Sequence, residues 1–191
     1  AKAVDVIARY STGSVNDGGH DEYAVDEAVP SQRPDLIGKV LPQTRFLSSD
    51  GEVIDLASFA GQKPVVIVLL RGFAGQVCLY CAAQTAALCN RITELQKAGA
   101  EVVVVYPGPA ESIPTFLQAV QTLRKDPPPV TVALDVSLLL VRALGVEDNL
   151  SRPTSVILDR AGKVSYVYVG KTIADRPSVD DLLHELAKNV K

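Results

Sequence analysis

Apolar residues follow two kinds of pattern along this chain, and the two patterns alternate. Residues 64–70 and 101–106 are short, nearly uninterrupted apolar runs rich in valine, typical of strands that are buried on both faces of a sheet. Between them, Leu88, Ile92 and Leu95 recur at helical spacing and predict a helix over about 79–98. Gly99 follows at the position where a left-handed residue commonly ends a helix. The pattern therefore predicts a strand–helix–strand unit.

The alternation continues to the end of the chain and closes with a hairpin and a helix. Asp50 and Gly51 form a turn signal that predicts a hairpin over 46–54. Ser178, with Asp181 three residues later, predicts the start of the last helix after Pro177. The other predicted elements are a helical turn at 55–59, a helix ending near 125, a strand at 130–133, a helix at 137–144 and strands at 153–158 and 163–169. Together they predict an α/β domain with a mixed central sheet and helices on both faces.

Residues 1–35 differ from the rest because turn-forming residues dominate them. Only residues 4–10 could form a short element there. We therefore expect two parts: a loop-rich N-terminal arm over 1–35, either packed on the body or mobile, and a single domain over 36–191.

The composition excludes several classes of function. The net charge of −3 over 191 residues leaves no basic face to displace counterions from a nucleic acid. The longest apolar run, 65–70, is far shorter than the roughly 18 residues that a membrane-spanning helix needs. The first residues include Lys2 and Asp5 and show no apolar leader segment. We expect a soluble protein, cytoplasmic or exported, without nucleic acid and without membrane insertion.

Candidate chemistry is concentrated in the segment Cys78-Leu79-Tyr80-Cys81, which follows a predicted buried strand and opens a predicted helix. Backbone N–H groups and the helix dipole favour an anion at a helix N-terminus, so the pKa of Cys78 is expected to fall. Cys81, one turn later, can attack a mixed disulfide and release the product. The spacing therefore predicts a redox-active disulfide.

Other interpretations of the cysteines are less consistent with the sequence. A zinc site would need two further ligands, and only Cys89, His20 and His184 remain, widely scattered. We interpret Cys89 as a buried filler, because roughly 12 Å of helix rise separates it from Cys81, too far for a disulfide. Neither histidine has a predicted catalytic role, and we expect no metal and no cofactor.

Residues 36–190 resemble the thioredoxin-like superfamily, in the branch of the peroxiredoxins (the alkyl hydroperoxide reductase/thiol-specific antioxidant family) and their CxxC-bearing relatives. The strand–loop–CxxC–helix unit at 65–95 and the run Arg152-Pro153-Thr154 with its following strand carry the resemblance. It implies a thioredoxin-like fold and a thiol-dependent oxidoreductase that works with a thiol reductant system. It also implies that Pro153 is a cis-proline facing the cysteines, with Arg152 and Thr154 offering backbone groups to a bound substrate chain.

The peroxiredoxin signature Pro-x-x-x-Thr/Ser-x-x-Cys is only partly present. Laid on this chain, it places the peroxidatic cysteine at Cys81, the Thr/Ser at Cys78 and the proline at Ala74. The family's distant arginine falls at or beside position 153, which makes the neighbouring Arg152 a candidate for that role. Arg71, at the end of the strand before the cysteines, is another candidate for stabilising a thiolate.

Three functions stay open on the sequence. The leading hypothesis is disulfide exchange, in which Cys78 attacks a disulfide-containing protein and Cys81 resolves the intermediate. Tyr80 would then be an exposed contact for the substrate, or else it packs against the arm. The second hypothesis is a peroxidase that reduces hydroperoxides through Cys81, with Cys78 as the resolving thiol. The third is a redox-sensing binding module that oxidises once without turnover. The electron donor, the compartment and assembly into a homodimer stay open.

Overall fold

The computed structural model describes residues 3–13 and 32–188 of the protein. Within them, seven strands form one mixed sheet in the order β2-β1-β5-β4-β3-β6-β7. Strands β3, β4 and β5 are parallel, and the remaining neighbours pair antiparallel. The strands are β1 (Arg45–Ser48), β2 (Val53–Asp55), β3 (Val65–Leu69), β4 (Glu101–Pro107), β5 (Thr131–Asp135), β6 (Thr154–Leu158) and β7 (Val164–Val169).

Helices cover both faces of the sheet, as predicted. The helices are α1 (Ala3–Thr12), α2 (Leu79–Asn90), α3 (Ile92–Lys97), α4 (Ile113–Arg124), α5 (Leu139–Leu144) and α6 (Val179–Lys188). Residues of α2, α3, α4 and α6 share one apolar core with the sheet, and residues of α5 share the core on the opposite face. Short 3₁₀ turns at Pro34–Leu36, Leu56–Phe59 and Ala110–Ser112 join these elements.

The central strand β3 is apolar at every position because both of its faces are covered. Val66 and Val68 point into the core beneath α2 and α4, whereas Val65, Ile67 and Leu69 point into the core beneath α5. β3 therefore lies in the middle of the molecule, and the loop after it begins at the centre of the sheet edge where the parallel strands end.

The turn and cap predictions are confirmed. Gly51 lies in the β1–β2 hairpin with φ +86°, and Gly99 follows α3 with φ +81°. Ser178 Oγ accepts the N–H of Asp181 at 3.1 Å, and Asp181 Oδ2 accepts the N–H of Ser178 at 2.8 Å. This reciprocal pair starts α6 as a capping box.

The single helix predicted over 79–98 is wrong in one respect, because it is divided into α2 and α3 at Arg91. Arg91 has φ −116° and ψ 16°, outside the helical region. Its guanidinium is tied to three separate places, since it donates to the carbonyl of Ser11 and to the carboxylates of Glu94 and Asp180. The apolar periodicity runs across the break and could not reveal it.

The element expected within residues 4–10 is present as α1. Its buried residues Val6 and Tyr10 pack on Ala83 and Ala87 of α2, so α1 lies on the body of the protein. The division between an arm at 1–35 and a domain at 36–191 remains a prediction. Residues 14–31, which include His20, lie outside the described residues.

Candidate redox site

The loop between β3 and α2 places two backbone N–H groups at Cys81. Arg71 and Gly72 both hydrogen-bond to the sulfur of Cys81 through the backbone. Gly72 has φ +90°, and a Cβ on it would lie 2.4 Å from the carbonyl oxygen of Pro107. Only glycine therefore fits this turn without displacing the chain after β4.

The two cysteines lie at the first turn of α2 as free thiols. Cys78 is the N-cap residue, and its Sγ accepts the backbone N–H of Cys81 at 3.3 Å. Both side chains are buried, with 9% of Cys78 and 1% of Cys81 exposed. The pair is therefore a closed site in which a charge on sulfur must be compensated by the protein.

A buried arginine supplies that compensation. Arg176 lies in the loop between β7 and α6 and is 2% exposed. Its Nη2 lies 3.4 Å from the Sγ of Cys81 and 3.8 Å from the Sγ of Cys78. Its Nη1 donates to Oε1 of Gln84 at 2.6 Å, and its Nε donates to the carbonyl of Ile173 at 3.0 Å. The guanidinium is thus fixed with one amino group facing both sulfurs.

These contacts place the negative charge on Cys81. Burial alone would raise the pKa of Cys81, but the Cys78 thiol, the Arg176 charge and the two backbone N–H groups lower it to about 5. The hydrogen bond that Cys78 gives to Cys81 raises the pKa of Cys78 well above its usual value, and burial adds to the rise. The structure therefore reverses the predicted lowering of the pKa of Cys78, because the Cys78 thiol donates a hydrogen bond to the Cys81 sulfur inside a buried site.

Residues 36–183 match the Redoxin family. The chain belongs to the Redoxin family. Comparison with curated proteins found no match.

Solved peroxiredoxin structures share the fold. The reduced 2-Cys peroxiredoxin of Plasmodium vivax is 18% identical, with a TM-score of 0.63 and 81% of each chain covered. Peroxidoxin BcpB from Mycobacterium tuberculosis is 16% identical, with a TM-score of 0.65 and coverage of 81% of this chain and 97% of the other. Peroxiredoxin 6 of Arenicola marina is 14% identical, with a TM-score of 0.67 and coverage of 79% and 71%. This Redoxin-family chain therefore has the thioredoxin-like fold of these peroxiredoxins, and its family makes it a thiol-dependent oxidoreductase.

Sequence reasoning missed Arg176. The signal was topological: β6 pairs antiparallel with β3, and β7 pairs antiparallel with β6, so β7 runs in the same direction as β3. The loops that follow β3 and β7 consequently lie at the same edge of the sheet. The predicted hairpin at 153–169 makes β7 antiparallel to β6, but the pairing of β6 with β3 was not predicted, so the sequence alone did not bring Arg176, in the loop after the hairpin, to the cysteines.

The prediction of a cis-proline at Pro153 is wrong. No cis peptide bond occurs in residues 3–13 or 32–188, and the bond before Pro153 is trans. The carbonyl of Pro153 accepts the N–H of Gly170 at 2.8 Å, so Pro153 lies directly before the β6–β7 ladder. Arg152, also buried, donates its backbone N–H to Val146 and its Nε to Gly170. Thr154 begins β6 between β3 and β7, so its backbone lies inside the sheet.

The other candidates occupy varied places. Arg71 reaches the site through its backbone N–H. Tyr80 packs against the apolar cluster formed by α1 and α2, which corresponds to the predicted packing against the N-terminal arm. Cys89 is buried, and burial raises its pKa to about 11, as a filler thiol requires. His184 is exposed on α6.

In the described ranges no helix is long and apolar enough to cross a membrane, and no group of three or more metal-ligating side chains occurs.

Proposed function

We propose that this protein reduces hydroperoxides, with Cys81 as the attacking thiolate and Cys78 as the resolving thiol. One observation carries the proposal: buried Arg176 lies 3.4 Å from the Sγ of Cys81 and supports a thiolate there. Among the hypotheses drawn from the sequence, this arrangement favours the second over protein disulfide exchange started by Cys78.

The arrangement suits attack on an O–O bond. A thiolate is the nucleophilic form of cysteine, and the breaking O–O bond develops negative charge on the departing oxygen. The Arg176 guanidinium and the backbone N–H groups of Arg71 and Gly72 already surround the sulfur and can stabilise charge there without reorganising. The Cys78 thiol, at the position of the signature Thr/Ser, donates to Cys81 the hydrogen bond that a hydroxyl would give.

The proposed cycle balances as follows. The Cys81 thiolate attacks one oxygen of ROOH, the O–O bond breaks, and the leaving RO⁻ takes a proton and departs as ROH. Sulfur is thereby oxidised to the sulfenic acid. The Cys78 sulfur then attacks the Cys81 sulfur, an S–S bond forms and water leaves. An external dithiol reduces the disulfide by exchange and is itself oxidised. Because both sulfurs belong to one chain, the cycle needs no second subunit.

Access to the site also favours a small substrate. Cys81 is 1% exposed, and a protein disulfide would have to bring its sulfur into line with the thiolate inside the closed site. A hydroperoxide needs only enough space for two oxygen atoms and a small substituent. We therefore assign the hydroperoxide as substrate and the dithiol as reductant, and place both reactions in the domain over 36–191.

Trapping the first intermediate tests the proposal. In Cys78→Ser, one equivalent of hydrogen peroxide should produce a sulfenic acid on Cys81, detected by dimedone labelling and peptide mass spectrometry. Cys81→Ser should give no label at the site. Cys89→Ser is the matched control and should form the Cys78–Cys81 disulfide as the wild type does. Rapid peroxide consumption by Cys81→Ser, or absence of the label in Cys78→Ser, would overturn the assignment.

Disulfide exchange is a second candidate because Cys78 is the more exposed sulfur and caps the N-terminus of α2. An exchanger would reduce the interchain disulfides of insulin and would lose this activity in Cys78→Ser. It would also form a stable mixed disulfide in Cys81→Ser. The peroxidase proposal expects slow insulin reduction by the wild type. Insulin assays of the wild type, Cys78→Ser and Cys81→Ser therefore separate the two candidates.

A further inference from the structure

Helix α1 lies against the redox site, although it precedes the segment 36–183 that matches the Redoxin family. The side chain of Tyr10, at the end of this helix, is 1% exposed. Its hydroxyl donates to the carbonyl of Ala174 at 2.9 Å, two residues before Arg176. The loop that carries the guanidinium is therefore bonded to the N-terminal helix.

That loop is held from several sides at neighbouring residues. The carbonyl of Ile173 accepts Nε of Arg176 at 3.0 Å, and the next carbonyl, of Ala174, accepts the Tyr10 hydroxyl. The carboxylate of Asp175 accepts the hydroxyl of Tyr168 and the N–H of Lys171. The Tyr10 bond holds the 174–175 peptide unit, and the adjoining 173–174 unit carries the carbonyl that accepts Arg176 Nε, so the Tyr10 bond restrains the guanidinium.

We propose that Tyr10 is a positioning residue of the redox site: its hydroxyl fixes the loop that carries Arg176 and so holds the guanidinium against both sulfurs. This inference rests on the proposed function and deepens it, because it makes α1 a component of the site. Tyr10 acts through Ala174 and Arg176 rather than on the sulfurs directly.

The way α1 docks makes this role specific. Val6 and Tyr10, four residues apart, pack on Ala83 and Ala87, also four residues apart on α2. The small alanines let the two helices approach closely enough for the Tyr10 ring to pass beside α2 and reach the loop. Arg91 binds the same end of α1, donating to the carbonyl of Ser11, and also donates to Asp180 next to the start of α6.

The Tyr10 phenol stays protonated and remains a donor. Burial raises its pKa, the Arg176 charge opposes the rise, and the negative charge carried by the cysteine pair reinforces it. The phenols of Tyr106 and of Tyr80, which stands between the two cysteines in the chain, also belong to this region, and Asp181, His184 and Glu185 line a cavity with Arg176. Thiolate absorbance is measured at the sulfur itself, so it reports the position of Arg176 directly, and Cys81→Ser assigns the signal to Cys81.

The test is Tyr10→Phe, which removes the hydroxyl and keeps the ring. The pH midpoint of the ultraviolet thiolate absorbance of Cys81 should rise by about 0.5 to 1 unit, and the rate with hydrogen peroxide near neutrality should fall about fivefold, the size of one hydrogen bond. Val6→Ala is the matched control: it weakens the same helix contact without touching the hydroxyl and should leave the midpoint unchanged. Circular dichroism and thermal melts of both variants verify folding.

Each outcome decides the inference. An unchanged midpoint in Tyr10→Phe, or an equal shift in Val6→Ala, would overturn the positioning role, because the first would show no effect of the hydroxyl and the second only general loosening. The wild type distinguishes this failure from failure of the proposed function. If the wild type itself shows no low-pH thiolate on Cys81 and no fast reaction with peroxide, the proposed function fails, whatever Tyr10→Phe does.

Discussion

Replacing Arg176 with methionine is the most informative single perturbation of the site. Methionine is of similar length, so Arg176→Met removes the charge and the donors with little loss of packing volume. In the folded protein the guanidinium lies 3.4 Å from Cys81 Sγ and is 2% exposed, so it faces the sulfur shielded from bulk solvent. The thiolate of Cys81 would then depend on the Cys78 thiol and the two backbone N–H groups alone.

The size of the effect follows from the burial of the pair. Removing one partner of a buried ion pair costs about 3 to 5 kcal/mol, and about 1.4 kcal/mol corresponds to one pKa unit. The pKa of Cys81, about 5 in the wild type, should therefore rise by roughly 2 to 4 units. At a pH near 6, the thiolate fraction should fall at least about tenfold.

Ultraviolet titration of thiolate absorbance in reduced protein measures this shift, and Cys81→Ser assigns the signal to Cys81. Arg142→Met is the matched control, because it removes one charge from an arginine whose side chain is 58% exposed on α5. That variant should keep the wild-type midpoint. An unchanged midpoint in Arg176→Met would refute the electrostatic reasoning, since the remaining hydrogen bonds would then suffice to ionise the thiol.

Three further predictions follow from the same contacts. The pKa of Cys81 is lowered from 9.0 to about 5 by folding, so this group adds stability above its unfolded pKa and loses it as pH falls toward 5. In denaturant unfolding, the stability of the wild type relative to Cys81→Ser should rise by at most about 1.4 kcal/mol per pH unit between these values. Gly72→Ala should lower both the melting temperature and the rate of reaction with peroxide, because the new Cβ would meet the Pro107 carbonyl. Gly75→Ala is the control: at φ +86° and with open space around its Cβ, it should lose only about 1 kcal/mol of stability and keep its reactivity with peroxide. Cys89 should resist iodoacetamide in the native protein near pH 8 and react fully after unfolding, as followed by mass spectrometry, because burial raises its pKa to about 11.

Much of the fold could be predicted because it depends on local pattern. The apolar runs that became β3 and β4 are buried on both faces, and such burial leaves a clear mark on the sequence. Glycines at turns and the Ser178 cap are equally local. The break at Arg91 was invisible because it comes from side-chain bonds to residues far away in the chain, Ser11 and Asp180.

The site was predictable only in part, for a related reason. The CxxC spacing pointed to Cys78 and Cys81 as a pair, but the helix-terminus rule placed the charge on the first of them. In the structure Cys78 donates a hydrogen bond to Cys81, which orders the two pKa values, and the charge that adds to the lowering at Cys81 is Arg176, 95 residues away in the chain and without a motif around it. The family resemblance predicted that Arg152 and Pro153 face the cysteines and a bound substrate. In the structure the backbone N–H of Arg152 donates to Val146, and the carbonyl of Pro153 accepts the N–H of Gly170.

The central claim is that Cys81 reacts with a hydroperoxide as a buried, arginine-stabilised thiolate. Mixing fully reduced protein with equimolar hydrogen peroxide in a stopped-flow instrument, and identifying the product by mass spectrometry, tests it most directly. The account predicts loss of two thiols and formation of the Cys78–Cys81 disulfide at a rate orders of magnitude above that of a simple thiol. Reaction at the rate of an ordinary thiol would contradict it and would favour protein disulfide exchange as the function of the pair.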